Sequence, residues 1–94
     1  MKSLPKRLNF QKRTPDFNHE TVPAGILGQH KTASDTWGKI VVTEGSLTYR
    51  ILEPNVEEHI ISTENYGVIA PQLTHQVEMH ESVKFHIEFY KDAV

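Results

Sequence analysis

Residues 39–54 read KIVVTEGSLTYRILEP, and this stretch decides the fold class. Two runs rich in β-branched residues, with alternating apolar and polar positions, flank Glu44 and Gly45. Alternation of this kind is typical of half-buried strands, and glycine supplies the positive φ that a tight hairpin turn needs. Pro54 and Asn55 then end the second strand. The stretch predicts a β-hairpin.

Similar short runs continue on both sides of this hairpin. A strand is predicted around Ile60 and Ile61, and another from Gly67 to Ala70. Upstream, the segment TVPAGILGQH (residues 21–30) predicts a short strand with bends at its glycines, and no segment shows a long helical period. We therefore predict an all-β fold with about seven or eight strands, either a sandwich or a barrel.

The last twenty residues predict a second hairpin, with its turn at residues 80–82. In this register His75 pairs with Ile87 and shares the apolar face with its neighbours at alternate positions. Glu78 has the opposite parity and is expected to lie across from Lys84, as an exposed cross-strand pair. Only a bulge or a one-residue shift in the turn would bring Glu78 to the side of His75.

The composition limits the classes of protein to consider. A chain of 94 residues is enough for one domain, so we expect residues 1–94 to form a single unit. The absence of cysteine excludes disulfides, thiolate catalysis and Cys-ligated zinc. No apolar run is long enough for a membrane span or a signal-peptide core, which leads us to expect a cytoplasmic protein without a membrane partner.

Charge is concentrated at the amino end. Five of the ten lysines and arginines lie in residues 1–13, whereas the net charge of the chain is −2. This segment predicts a basic arm that is either flexible or adds an edge strand. Because no aromatic residue precedes Phe10, a platform for stacking bases is not visible, and we expect no nucleic-acid partner.

Six histidines are candidates for a functional site. His75 is the strongest, because an imidazole on an apolar face needs a partner: a metal, a carboxylate or a backbone carbonyl. A hydrogen-bonded core histidine is an equally open reading of the residue. His30 is predicted at a strand-to-loop edge, as a ligand or a surface residue, while His59 and His80 are expected to be solvated and His19 receives no role.

Three longer motifs together resemble one known family. They are HKT…TWGKIVVTEGSLTY (30–49), APQLTHQVE (70–78) and FHIEFY (85–90), and PAGI (23–26) agrees with them. The chain resembles, over about residues 14–90, the small cupin domain of the TehB and YeaR type. That domain occurs alone and also fused ahead of the methyltransferase in some tellurite-resistance proteins. The resemblance implies a cupin-type double-stranded β-helix, a conical antiparallel β-barrel or jelly roll, and a homodimer.

The resemblance also implies a ligand set. His30 and His75 match two metal-binding histidines of the cupin superfamily, while Thr32 and Gly38 stand in place of its other two ligands. Glu78 matches the glutamate of the H-x-V-E pattern of the family. The implied site is therefore a divalent transition metal, either zinc, nickel or iron, held by His30, His75 and Glu78, and the alternatives for the third ligand are Gln72 and Glu88.

Two functions follow from these expectations. The first is a small metal-binding cupin that binds a small molecule or an oxyanion in its barrel, related to tellurite-resistance and stress-response proteins. The second is a non-enzymatic module for ligand sensing or protein interaction, in which the histidines are structural. The sequence leaves open whether the protein is an enzyme.

Overall fold

The computed structural model describes residues 1–29 and 31–92, which form two antiparallel β-sheets around one apolar core. The described ranges contain seven strands and one short helix: β1 (Leu8–Arg13), α1 (Ala24–Leu27), β2 (Thr36–Glu44), β3 (Ser46–Ile51), β4 (Glu57–Ser62), β5 (Gly67–Ile69), β6 (His75–Met79) and β7 (Lys84–Asp92). The all-β prediction is confirmed.

The seven strands divide into a four-stranded and a three-stranded sheet. Sheet A has the order β1-β7-β2-β5, and sheet B has the order β4-β3-β6. Apolar residues at alternate positions of the central strands point inward and form the core, as expected for a β-sandwich. The fully buried side chains include Ile40, Phe85 and Ile87 from sheet A and Leu47, Tyr49 and Ile61 from sheet B.

The predicted hairpin at residues 39–54 is wrong in its pairing, although both of its strands exist. β2 pairs with β5 and β7, while β3 pairs with β4 and β6. Because both edges of β2 are occupied, the chain crosses from sheet A to sheet B at Gly45. That residue has a φ of 71°, as the sequence predicts, and its tight turn now joins two facing sheets.

The predicted hairpin of the last twenty residues is wrong for the same reason. β6 pairs with β3, so that His75 lies opposite Ile51 instead of Ile87. β7 pairs with β1 and β2 in the other sheet. The turn at residues 81–82 is present, with Ser82 at a φ of 62°, and it also carries the chain between sheets.

Two outcomes concern the amino-terminal third, one that contradicts the prediction and one that agrees with it. The strand predicted at residues 21–30 is wrong, since Ala24–Leu27 forms the one-turn helix α1, which follows Pro23 and packs against β6. A proline immediately before the first helical turn suits this start, because its missing N–H is not needed there. Of the two alternatives predicted for the basic segment, the edge strand is confirmed: residues 8–13 form β1, at the edge of sheet A.

No helix in the part of the chain that the structure describes is long and apolar enough to cross a membrane.

Candidate functional site

His75 is the one histidine of the described residues that is completely buried, with 0% of its surface exposed. It is the first residue of β6 and lies on the inner face of sheet B, beside Ile51. Its Nδ1 donates to the carbonyl of Leu73 at 3.0 Å. In the neutral ring Nε2 then carries the lone pair, because a carbonyl can only accept. The predicted inward orientation of His75 is confirmed.

Tyr49 forms the wall beside this imidazole. Its ring lies edge-on to His75, with 5.8 Å between the centroids and 72° between the planes. The hydroxyl donates to the carbonyl of Val68 at 3.0 Å, which ties sheet B to β5 of sheet A. Burial, and after it the negative charge of Glu57, raises the pKa of the Tyr49 phenol. This side chain is therefore a neutral hydrogen-bond donor at physiological pH.

His59 lies in β4 beside Tyr49, nearer the surface than His75. It pairs with Tyr49 across β4 and β3, and its ring centroid lies 6.4 Å from that of Tyr49. Its Nε2 is 3.0 Å from Oε1 of Glu57, which also accepts from the amino group of Met1 at 2.7 Å. Hydrogen bonds from the amino terminus and then from His59 lower the pKa of Glu57. His59, which the sequence predicted to be solvated, therefore faces a carboxylate near the surface.

Glu78 lies on the other face of β6 from His75. The burial of β6 alternates, with His75 and Val77 buried and Glu78 exposed, so the difference in parity seen in the sequence is maintained without a bulge. Glu78 lies opposite Thr48 rather than Lys84, and its Oε1 is 3.7 Å from Nη2 of Arg50. The predicted pair with Lys84 is wrong.

The outcome differs for each of the other predicted ligands. His30 lies outside the described residues. Gln72 is exposed with a φ of 62°, and Glu88 is hydrogen-bonded on the outer face of sheet A. Among residues 1–29 and 31–92, no group of three His, Asp or Glu side chains is arranged to hold a metal ion. The set His30, His75 and Glu78 therefore stays a prediction.

The family is decided by a match over most of the chain. The model of the TehB-like domain matches residues 12–87. The chain belongs to the TehB-like domain family. This confirms the TehB part of the resemblance found in the sequence.

Relatives of this TehB-like domain are similar over only part of their own length. The chain is 30% identical over 84 residues to the probable S-adenosyl-L-methionine-dependent methyltransferase TehB of two Haemophilus influenzae strains. The match covers 84% of this chain and 29% of the relative, so the chain spans less than a third of those proteins.

Two crystal structures resemble the TehB-like domain described here. A protein from E. coli strain K12 superposes with a TM-score of 0.87 at 22% identity, covering 98% of both chains, which shows the shared fold. TehB from Haemophilus influenzae superposes with a TM-score of 0.83 at 28% identity. That superposition covers 93% of this chain and 32% of the other.

A second cluster in this TehB-like domain surrounds His86 on the outer face of sheet A. His86 is buried, with Nε2 3.0 Å from Oε2 of Glu88 and Nδ1 3.5 Å from Oδ1 of Asp16. Tyr90 donates to the other oxygen of Glu88 at 2.6 Å. Burial opposes ionisation of Glu88, but the hydrogen bonds from Tyr90 and His86 outweigh it and lower the pKa of this carboxyl. The bond to Glu88 raises the pKa of Tyr90 to about 12.

A third cluster surrounds His80, which the sequence predicted to be solvated. Its Nδ1 lies 2.7 Å from Oγ of Ser46, and its Nε2 lies 2.8 Å from Oγ1 of Thr48. In either neutral tautomer one ring nitrogen donates and the other accepts from a hydroxyl. His19 adds a bond to the carbonyl of His80 at 2.9 Å. Only the pairing of β6 with β3 brings these residues together, so local sequence carried no signal for them.

Proposed function

We propose that this TehB-like domain is a small ligand-binding protein in which His75 holds a divalent transition metal, and that the metal binds a small molecule or an oxyanion. The relation to TehB proteins supports a role in tellurite resistance or a related stress response. The single observation that carries the proposal is the buried imidazole of His75, with Nδ1 donating to the Leu73 carbonyl.

The environment of His75 fits a metal ligand. Histidines that ligate metals commonly donate their other ring N–H to a backbone carbonyl, which fixes the tautomer and aims the lone pair. The neighbouring ring of Tyr49 holds the imidazole in place, and zinc, nickel and iron all accept neutral imidazole. A bound ion would supply Lewis-acid polarisation of a ligand oxygen.

The second ligand that we propose is His30, on the basis of the resemblance. Glu78 does not fit beside His75, since it lies on the opposite face of β6 and faces Arg50. A third protein ligand is therefore unassigned, and water or the small molecule itself is an acceptable donor at that position.

Metal analysis of protein purified without a histidine tag tests this proposal. We expect near-stoichiometric zinc, nickel or iron, lost in His75→Asn and His30→Ala and retained in His19→Ala. Asparagine carries an N–H near the place of Nδ1, so His75→Asn separates loss of metal from loss of fold. Metal content well below stoichiometric in the unmodified chain, with no uptake on titration, would contradict the proposal.

The alternative is a non-enzymatic sensing or interaction module with structural histidines. The packing of His75 against Tyr49 inside the core is the observation that favours it. Under this alternative His75→Ala lowers the melting temperature and changes no metal content.

The oxyanion part of the metal proposal has its own test. Calorimetric titration of the metal-loaded protein with tellurite shows whether an oxyanion binds, and a flat titration removes that ligand from the proposal.

The homodimer implied by the resemblance is proposed separately. Both sheets have strands at their edges, and exposed edges of small β-proteins are often covered by a second subunit. Light scattering coupled to size-exclusion chromatography should give twice the mass of 10.8 kDa. A monomer mass at the highest concentration attainable would contradict the dimer.

A further inference from the structure

The free edge of β1 has the properties of a docking site. β1 is the last strand of sheet A and pairs only with β7 among the described strands. Five of its six residues are exposed, so the strand contributes little to the core. An edge strand of this kind presents unpaired backbone N–H and C=O groups in the plane of the sheet.

Apolar side chains lie on the outer face beside this edge. Phe10, Tyr90 and Trp37 are register partners across β1, β7 and β2, and we call them the aromatic row. The rings of Phe10 and Tyr90 meet edge-on, with 5.6 Å between their centroids. Phe10, the outermost member, is 56% exposed, so the row is open toward the edge of the sheet.

A cavity lies on the other face of sheet A from the aromatic row, beside β1 and β7. Phe89 and Tyr90 are consecutive in β7 and therefore project to opposite faces. The cavity has a volume of about 300 Å³ and a mostly apolar lining that includes Phe89, Ala33 and the stem of Lys12. A strand added along β1 would thus find apolar surface for its side chains on both faces, which is how strand-addition sites gain specificity.

The charge of this edge indicates the chemistry of the partner. Lys6, Arg7, Lys12 and Arg13 lie in or next to β1, and within the described ranges only Arg13 has a carboxylate partner, Asp16. Lys12 instead extends over the ring of Phe89, 5.9 Å from its centroid. An extended segment that carries carboxylates complements these cations.

Two other occupants fit less well. A second copy paired through β1 would bring two sets of the same cations together, and lysines on edge strands deter such self-pairing. Single-stranded nucleic acid carries a negative charge at every nucleotide, so stacking its bases on the aromatic row would bring phosphates close to carboxylates, whereas a peptide can place uncharged apolar side chains there. Trp37 donates to Asp92 and Tyr90 donates to Glu88, so carboxylates lie next to two of the three rings.

We propose that the β1 edge binds an extended acidic peptide segment as an added strand, with alternate apolar side chains on the aromatic row and in the Phe89 cavity. The backbone of the segment supplies the main-chain bonds, and its carboxylates pair with Lys12 and the neighbouring cations. This site lies on sheet A and does not depend on the proposed metal function of His75.

Selection from a displayed library of random twelve-residue peptides tests the class of partner. The whole chain is immobilised, and peptides that also bind Lys12→Glu are removed. We expect enriched peptides that carry Asp or Glu together with apolar residues at both odd and even positions, because the aromatic row and the Phe89 cavity lie on opposite faces of the sheet. Failure to enrich acidic peptides would overturn the proposal.

The most enriched peptide, made synthetically, then locates the site. Amide shifts in NMR spectra should cluster on β1 and β7, and affinity should fall about tenfold in Lys12→Glu and in Phe10→Ser. The matched control is Lys2→Glu, which reverses a charge of the same basic segment away from β1 and should bind normally. Unfolding curves establish that all three variants fold.

Three results would overturn the assignment. They are equal weakening by Lys2→Glu and Lys12→Glu, displacement of the peptide by a single-stranded oligothymidylate, and a dimer in light scattering that Lys12→Glu converts to a monomer. The second result would assign the edge to nucleic acid, and the third would assign it to a second copy.

Discussion

Single residues of this domain carry polar contacts that join distant strands. The hydroxyl of Tyr49 is the clearest case, because it is fully buried and reaches from sheet B to the carbonyl of Val68 in β5. Removing one partner of a buried hydrogen bond leaves the other without water or protein, and this costs more than the bond itself contributes.

Tyr49→Phe should therefore lower the free energy of unfolding by about 1–3 kcal/mol, measured by urea denaturation. The matched control is Tyr66→Phe. Tyr66 is exposed, and its ring keeps the contact with the Lys39 ammonium at 4.6 Å from the centroid after the hydroxyl is removed. Equal stability of Tyr49→Phe and the unmodified chain would show that the Val68 carbonyl finds another donor.

Glu88 should account for part of the decrease in the free energy of unfolding at acid pH. Its pKa is lowered in the folded state by Tyr90 and His86, so the stabilisation is present above the unfolded value near 4.5 and is lost as the pH falls through the lower folded value. Glu88→Gln should be less stable than the unmodified chain at neutral pH, and the difference should shrink below pH 4.5. Urea denaturation between neutral and acid pH measures it.

The exposed turn residue Glu81 supplies the comparison for that experiment. Glu81→Gln should have nearly the same free energy of unfolding as the unmodified chain at every pH. A constant deficit of Glu88→Gln across the acid range would show that its effect does not come from ionisation.

At the level of elements, the strands could be predicted and their partners could not. Alternation within residues 39–54 marks both strands, because inward and outward positions are a local property of a strand. The choice of partner depends on β7 and β5, both distant in sequence, which occupy the two edges of β2 and leave neither for a hairpin with β3. Because β6 pairs with β3 and not with β7, the predicted partner of Glu78 was wrong.

The candidate site divides in the same way. The burial of His75 follows from its parity with Val77, and the sequence predicted it. The partners of His80 come from β3, and Asp16 beside His86 comes from the segment after β1, so no local pattern predicts these contacts. Only Glu88, two residues from His86 in β7, is a local partner. The periodicity of apolar residues reports only local alternation, so it does not reveal partners that tertiary pairing brings together.

Gly45 lets the chain cross between the two sheets. Its φ is +71°, and an added Cβ would lie 3.0 Å from the carbonyl oxygen of Ser82 and 3.1 Å from Cα of Val83. Both neighbours are backbone atoms that cannot move without shifting the turn before β7. Gly45→Ala should therefore destabilise the fold by more than about 1 kcal/mol, as measured by the thermal midpoint.

Gly25→Ala is the matched control for this turn. It lies in α1 with no atom within 4 Å of an added Cβ, and alanine is the better helix former. The variant should melt at the same temperature as the unmodified chain or slightly higher. Equal midpoints for the two alanine variants would show that the crossing does not require a left-handed residue.

The whole molecule has one core that both sheets share. The buried cluster includes Phe85 from sheet A and Leu47 from sheet B, and the radius of gyration is 12.4 Å. A chain of this size with a shared core should unfold in a single cooperative step, because neither sheet keeps a buried face without the other.

Phe85→Ala and Leu47→Ala should each remove about 2–5 kcal/mol, a large part of the stability of a small domain. Both should shift one common transition, followed by far-UV circular dichroism and by the fluorescence of Trp37 in sheet A. The exposed Phe10 provides the comparison, since Phe10→Ala should cost about 1 kcal/mol or less. If Leu47→Ala shifts the circular dichroism transition and leaves the Trp37 transition unchanged, the two sheets unfold separately, and the single domain predicted for residues 1–94 is wrong.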